Sequence, residues 1–89
     1  MRLSTIYKYQ AVGGGSPFAH ALGATIRERR RRLGLSQAEL GHPLSRAYVS
    51  RVEHGELSPS LGSLVLLSER LGIPAWELLK VVHNRVTTR

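Results

Sequence analysis

Hydrophobic residues recur along this chain at steps of three and four, broken by glycine and proline, and that pattern predicts an all-α fold. Phe18, Leu22 and Ile26 repeat every fourth residue and Leu33 continues the stripe, so this face is expected in a core. Ser16 before Pro17 reads as an N-cap followed by proline at the first helical position, where the missing N–H costs nothing. Gly34 stops the segment and Leu35 folds back over it, giving a helix over 17–33. A later helix, 61–71, follows a Ser60 cap and carries Leu61, Leu64, Val65, Leu67 and Leu71 on a broad apolar face. Leu71-Gly72-Ile73 repeats the Leu33-Gly34-Leu35 stop, and Pro74 opens a last helix over 75–83. There Trp76, Leu79, Val82 and Val86 follow at three- and four-residue steps beside Leu78 and Val81, more apolar surface than one small core consumes. Trp76 is either a partly buried core residue or, with Leu79, Val82 and Val86, the centre of a self-complementary patch that pairs two copies.

Between these helices lies SQAELGHPLSRAYVSRVEHG, residues 36–55, which reads as two short helices and a tight turn. Ser36-Gln37-Ala38-Glu39 is a capping box, with Ser36 bonding forward to the Glu39 amide and Glu39 back to Ser36. Pro43 ends this helix near Gly41 or His42, because the residue before a proline is pushed out of helical geometry. Ser45 caps the next helix, and Gly55 suits the left-handed position just past its end. Val49 and Val52 share one face of it, whereas Arg46, Ala47, Ser50, Arg51 and His54 fall on the other. One side is built to pack and the other to touch a polar, anionic surface.

Upstream, residues 1–12 carry Leu3, Ile6, Tyr7, Tyr9 and Val12 without a helical stripe and with enough β-branched and aromatic content for a short strand. Gly13-Gly14-Gly15-Ser16 follows as a flexible linker. The organisation is therefore an arm and linker over 1–16, a helical domain over 17–83 and a frayed tail over 84–89. The arm is either a loose terminus or a segment that reaches a ligand or pairs with its own copy.

At 89 residues and 42% hydrophobic content, the chain builds one small core, which argues against an enzyme with a deep cleft. Its 13 Lys and Arg against 6 Glu, with no Asp, give a net charge of +7 and point to a polyanionic partner. Nucleic acid fits better than an anionic membrane, since basic and apolar residues sit on different helices instead of opposite faces of one. The run Arg29 to Arg32 sweeps most of a helical turn, so its members cannot all face one ligand. Without cysteine there is no disulfide framework and no thiolate metal site, which fits the cytoplasm. The longest strongly apolar run, Leu64 to Leu67, falls far short of the ~20 residues that span a bilayer, and the N-terminus lacks the apolar region of a secretory signal. His20, His42, His54 and His83 share no metal-ligand spacing, and Gly13 to Gly15 lacks the lysine of a phosphate loop. No catalytic role, cofactor or metal is expected.

The segments RRRLGLSQAEL and SRAYVSRVEHG resemble the helix-turn-helix domain of the phage lambda repressor and Cro family, the XRE type, and the likeness extends over about residues 17–83. It is carried by the arginine before LGLSQ, by Gln37 opening the short helix and by the ending Ser50-Arg51-Val52-Glu53 with Gly55. The resemblance implies a compact five-helix lambda-repressor-like domain whose helix at 45–54 lies in the major groove of double-stranded DNA. Docked so, Arg46, Ala47, Ser50 and Arg51 approach base edges. Gln37, at the amino end of the short helix, anchors a phosphate, with Ser45, Tyr48 and His54 adding contacts; Tyr48 also borders the packing face. The resemblance further implies that Arg30 and Glu53 pair as a structural clamp, not a DNA contact. It implies a homodimeric regulator, a repressor, on a palindromic operator. Two other readings stay open: the antitoxin of a toxin pair, or an adaptor that uses the same domain to grip another protein. One departure from the family pattern is that the chain is two residues shorter between Gln37 and Ser45, where GHPL forms the turn.

Overall fold

In the computed structural model, which describes residues 14–88, five helices follow one another: α1 (Pro17–Arg32), α2 (Gln37–Gly41), α3 (Arg46–Glu53), α4 (Leu61–Arg70) and α5 (Ala75–Thr87). No strand occurs among the described residues, and the arm over 1–12 lies outside them. The helices begin where serine side chains take up unpaired N–H groups. Ser16 accepts from the Ala19 amide and Ser45 from the Tyr48 amide, each at 3.0 Å, and Ser60 accepts from Ser63 at 3.2 Å. At α2 the capping box closes both ways, with the Glu39 amide donating to Ser36 Oγ at 3.0 Å and the Ser36 amide to Glu39 Oε1 at 2.9 Å. The bond from the Ser36 amide favours the ionised carboxylate and, with the Ser36 hydroxyl second, holds Glu39 below its ordinary pKa.

All five helices contribute to one core, made of Leu22, Ile26, Leu40, Val49, Val52, Leu64, Leu67, Leu71, Ile73, Leu78 and Val82. Helix α1 packs against α5 and α3, α2 against α3 and α4, and α4 against α5. The close approach of α1 to α3 depends on Gly23, where a Cβ would drive into the Val52 and Glu53 carbonyl oxygens. Gly41 does the same for α2, since a Cβ there would collide with Val49. Thus α3 is held closely from both sides, by its backbone at Gly23 and by the Val49 side chain at Gly41, and the short GHPL turn, which contains a cis His42–Pro43 peptide, joins α2 to it.

Three expectations need correction. Leu33 is 54% exposed and outside the core, because the interior ends one turn earlier: Arg30 takes the inward position and Leu35 packs against that end. The last helix does not stop at residue 83. It runs to Thr87 because Arg85 Nη1 donates to Thr25 at 2.8 Å and the guanidinium bridges Glu28 at 3.1 and 3.2 Å, tying the last turn to α1. Val82, expected in a surface patch with Trp76, is fully buried. Six residues separate it from Trp76, about 600° of helical rotation, so their directions differ by about 120° and the two lie on different faces of the helix. Trp76 itself is 65% exposed, which decides against a core role, while Leu79 and Val86 are half-buried.

Candidate nucleic-acid interface

The sequence of α3 divides it into two faces, and the structure keeps that division. Val49 and Val52 are fully buried, whereas Arg46, Ala47, Arg51 and His54 are exposed and Ser50 is half-buried at the edge. Gly55, at φ +73°, adopts the left-handed conformation that ends the helix beside His54. Arg46, Ala47 and Ser50 line an open recess of about 420 Å³ with Gln37 of α2, so base-edge and phosphate candidates from the two helices share one concave surface.

The remaining candidates occupy distinct places. Ser45 is committed as the α3 N-cap through its oxygen, which leaves the hydroxyl hydrogen available as a donor. Tyr48 packs against the core, on the structural side of its two expected roles. His54 Nδ1 lies 2.7 Å from the Ser50 carbonyl, so the ring donates there and is held over the C-terminal end of α3. Of the arginine run, Arg30 turns inward, Arg29 is half-buried and Arg31 and Arg32 are exposed, as their helical spacing requires.

Behind this surface stands the charge pair. Arg30 Nε and Nη2 donate to the two carboxylate oxygens of Glu53 at 2.6 and 3.0 Å, with the side chains only 11% and 1% exposed. The Glu53 hydrogen bond raises the Arg30 pKa above its ordinary value, against the opposing pull of burial. Arg30 Nη1 also donates to the Leu35 carbonyl at 2.9 Å, which pins the loop leading into α2. Sequence reasoning missed the third participant: Gln37 Nε2 donates to Glu53 Oε1 at 3.1 Å. No local signal marks that bond, because its partners are 16 residues apart and on different helices.

Two short helices joined by a tight turn, with α1 and α2 gripping an exposed arginine-bearing α3, make up a helix-turn-helix unit. The family model for helix-turn-helix proteins, HTH_3, matches residues 26–77, and the chain belongs to the lambda repressor/Cro-like, XRE-type helix-turn-helix family of DNA-binding transcriptional regulators. Among solved structures, the restriction-modification controller protein C.AhdI from Aeromonas hydrophila is similar at 37% identity and a TM-score of 0.64, over 67% of this chain and 94% of that one. The clp gene regulator ClgR from Corynebacterium glutamicum superimposes with a TM-score of 0.73 at 26% identity, covering 80% of this chain and 78% of its own. The competence regulator ComR from Streptococcus vestibularis shares 30% identity at a TM-score of 0.66 over 71% of this chain and 22% of its own length. No curated protein matches the chain. Among the described residues, no helix is long and apolar enough to cross a membrane.

Proposed function

We propose that this protein is a homodimeric, sequence-specific repressor that lays α3 in the major groove of a palindromic DNA operator. The observation that carries the reading is the exposed face of α3, Arg46, Ala47, Ser50 and Arg51, set beside Gln37 and backed by a fully buried opposite face. An arginine at that surface can bond two acceptors of one guanine, a contact worth ~1–3 kcal/mol of discrimination. Gln37 and Ser45 supply donors for phosphates, which fix register on the duplex without reading sequence, whereas the neutral His54 ring, whose one N–H goes to the Ser50 carbonyl, has none to spare. The similarity to a controller protein and to two regulators supports the regulatory role.

One recognition helix reads only a few base pairs, and a two-fold dimer doubles the site by spacing half-sites ~34 Å apart. Trp76 is the proposed centre of the dimer interface, with half-buried Leu79 and Val86 at its margin. Selection of bound sequences from a random duplex pool tests the reading. A palindrome with one preferred guanine step per half-site is the expected result, and a pool that stays random after selection contradicts it.

A further inference from the structure

The Arg30–Glu53 pair has a third member that a clamp between α1 and α3 does not require. The Glu53 carboxylate takes two hydrogen bonds from Arg30 and a third, at 3.1 Å, from the amide nitrogen of Gln37, the first residue of α2. A glutamine amide has two N–H donors and one carbonyl acceptor. Glu53 engages one N–H, and the side chain also lines the recess it shares with Arg46, Ala47 and Ser50.

We infer that Glu53 is a positioning residue for DNA binding: its buried carboxylate holds the Gln37 amide in one orientation, with the second N–H left to meet a DNA phosphate. This rests on the DNA-binding reading above. A carboxylate only accepts hydrogen bonds, so it admits the nitrogen end of the amide and rejects the flipped orientation, which would set carbonyl oxygen against carboxylate oxygen. A phosphate oxygen also only accepts, so the same nitrogen must serve both partners, and its two hydrogens allow that. A side chain ordered before the ligand arrives loses less freedom on binding. Arg30 in turn fixes the carboxylate with two bonds and ties the loop before α2 through Leu35. A buried pair whose net effect on folding is small can therefore matter for affinity.

Replacing the pair together, Arg30→Met with Glu53→Met, removes the acceptor for Gln37 without leaving a lone buried charge. Affinity for a mixed-sequence duplex is the readout, since a phosphate contact does not depend on sequence. The double variant and Gln37→Ala are each expected to bind about three- to tenfold more weakly than the wild type, the scale of one hydrogen bond. Adding Gln37→Ala to the double variant is expected to cost less than it costs the wild type, because an unheld Gln37 has already lost most of its phosphate contact. The slope of log affinity against log salt should stay unchanged in all of them. Wild-type affinity in the double variant, or a full further loss on adding Gln37→Ala, overturns the inference. So does a slope reduced by about 0.9, which would make Arg30 itself a phosphate ligand. If the double variant does not fold, nitrogen-15 relaxation of the Gln37 side-chain amide in the free wild-type protein decides: an amide as rigid as the backbone is expected, and a freely mobile one overturns the inference. A wild type without salt-dependent affinity for duplex DNA is a separate outcome, which sinks the DNA-binding reading and this inference with it.

Discussion

Helices α3 and α5 are both two-faced, but they are held in opposite ways. Residues next to α3 close both its ends, Ser45 as the cap and Gly55 in the left-handed turn, and its inner face meets backbone through Gly23 and a side chain through Gly41. Helix α5 begins at Pro74 without a side-chain cap, and its last turn is tied to α1 by the half-exposed Arg85–Glu28 bridge and the Thr25 bond. A surface that must match a fixed array of phosphates and base edges needs the first arrangement. The second suits a helix whose core residues, Leu78 and Val82, fix its middle while its end rests on one exposed arginine.

The largest effect that separates the two belongs to the buried pair. Arg30→Ala leaves the Glu53 carboxylate, 1% exposed, without its cation, and ~3–5 kcal/mol of stability should be lost in urea unfolding. A loss below about 1 kcal/mol, typical of exposed pairs, would put α3 in the same class as α5. Next is Gly23→Ala, which forces a methyl group into the Val52 and Glu53 carbonyls and should cost ~1–3 kcal/mol, as overpacking does. Unchanged stability there would show that α1 and α3 can separate without penalty.

These contrasts also explain how much was legible in the sequence. The ends of α3 were plain because their causes are local: a serine before the first turn and a glycine after the last. The partition of its faces was equally plain, since it follows from helical spacing alone. Leu33 was misplaced because its exposure depends on where the facing helices end, which periodicity does not encode. The final turn of α5 was missed because it depends on Arg85 reaching Thr25 and Glu28, about 60 residues earlier in the chain. The Gln37–Glu53 bond was hidden for the same reason, although the Arg30–Glu53 pair was expected from the family resemblance.

Smaller effects sharpen the comparison. Arg85→Ala removes a bridge whose side chains are 39% and 54% exposed, so global stability should fall by no more than ~1 kcal/mol. Amide exchange is expected to rise in the last turn of α5 and not in α3; faster exchange in α3 would mean that the two ends are coupled. The smallest effect is that of Glu39. Its pKa is lowered in the folded protein, so its contribution is present above the ordinary value of 4.5 and fades as pH falls through the lower folded value. Glu39→Gln should flatten that part of the stability profile, and an unaltered acid limb would remove the capping box from the account.

The account turns on the outer face of α3 reading bases. Arg51→Ala, measured against the selected palindrome and against mixed-sequence DNA at the same salt concentration, tests that most directly. The prediction is a loss of ~1–3 kcal/mol on the palindrome, a smaller loss on mixed sequence, and relaxed preference at one base step per half-site. Equal losses on both DNAs would show that Arg51 meets only phosphate and would contradict base reading by this face of α3.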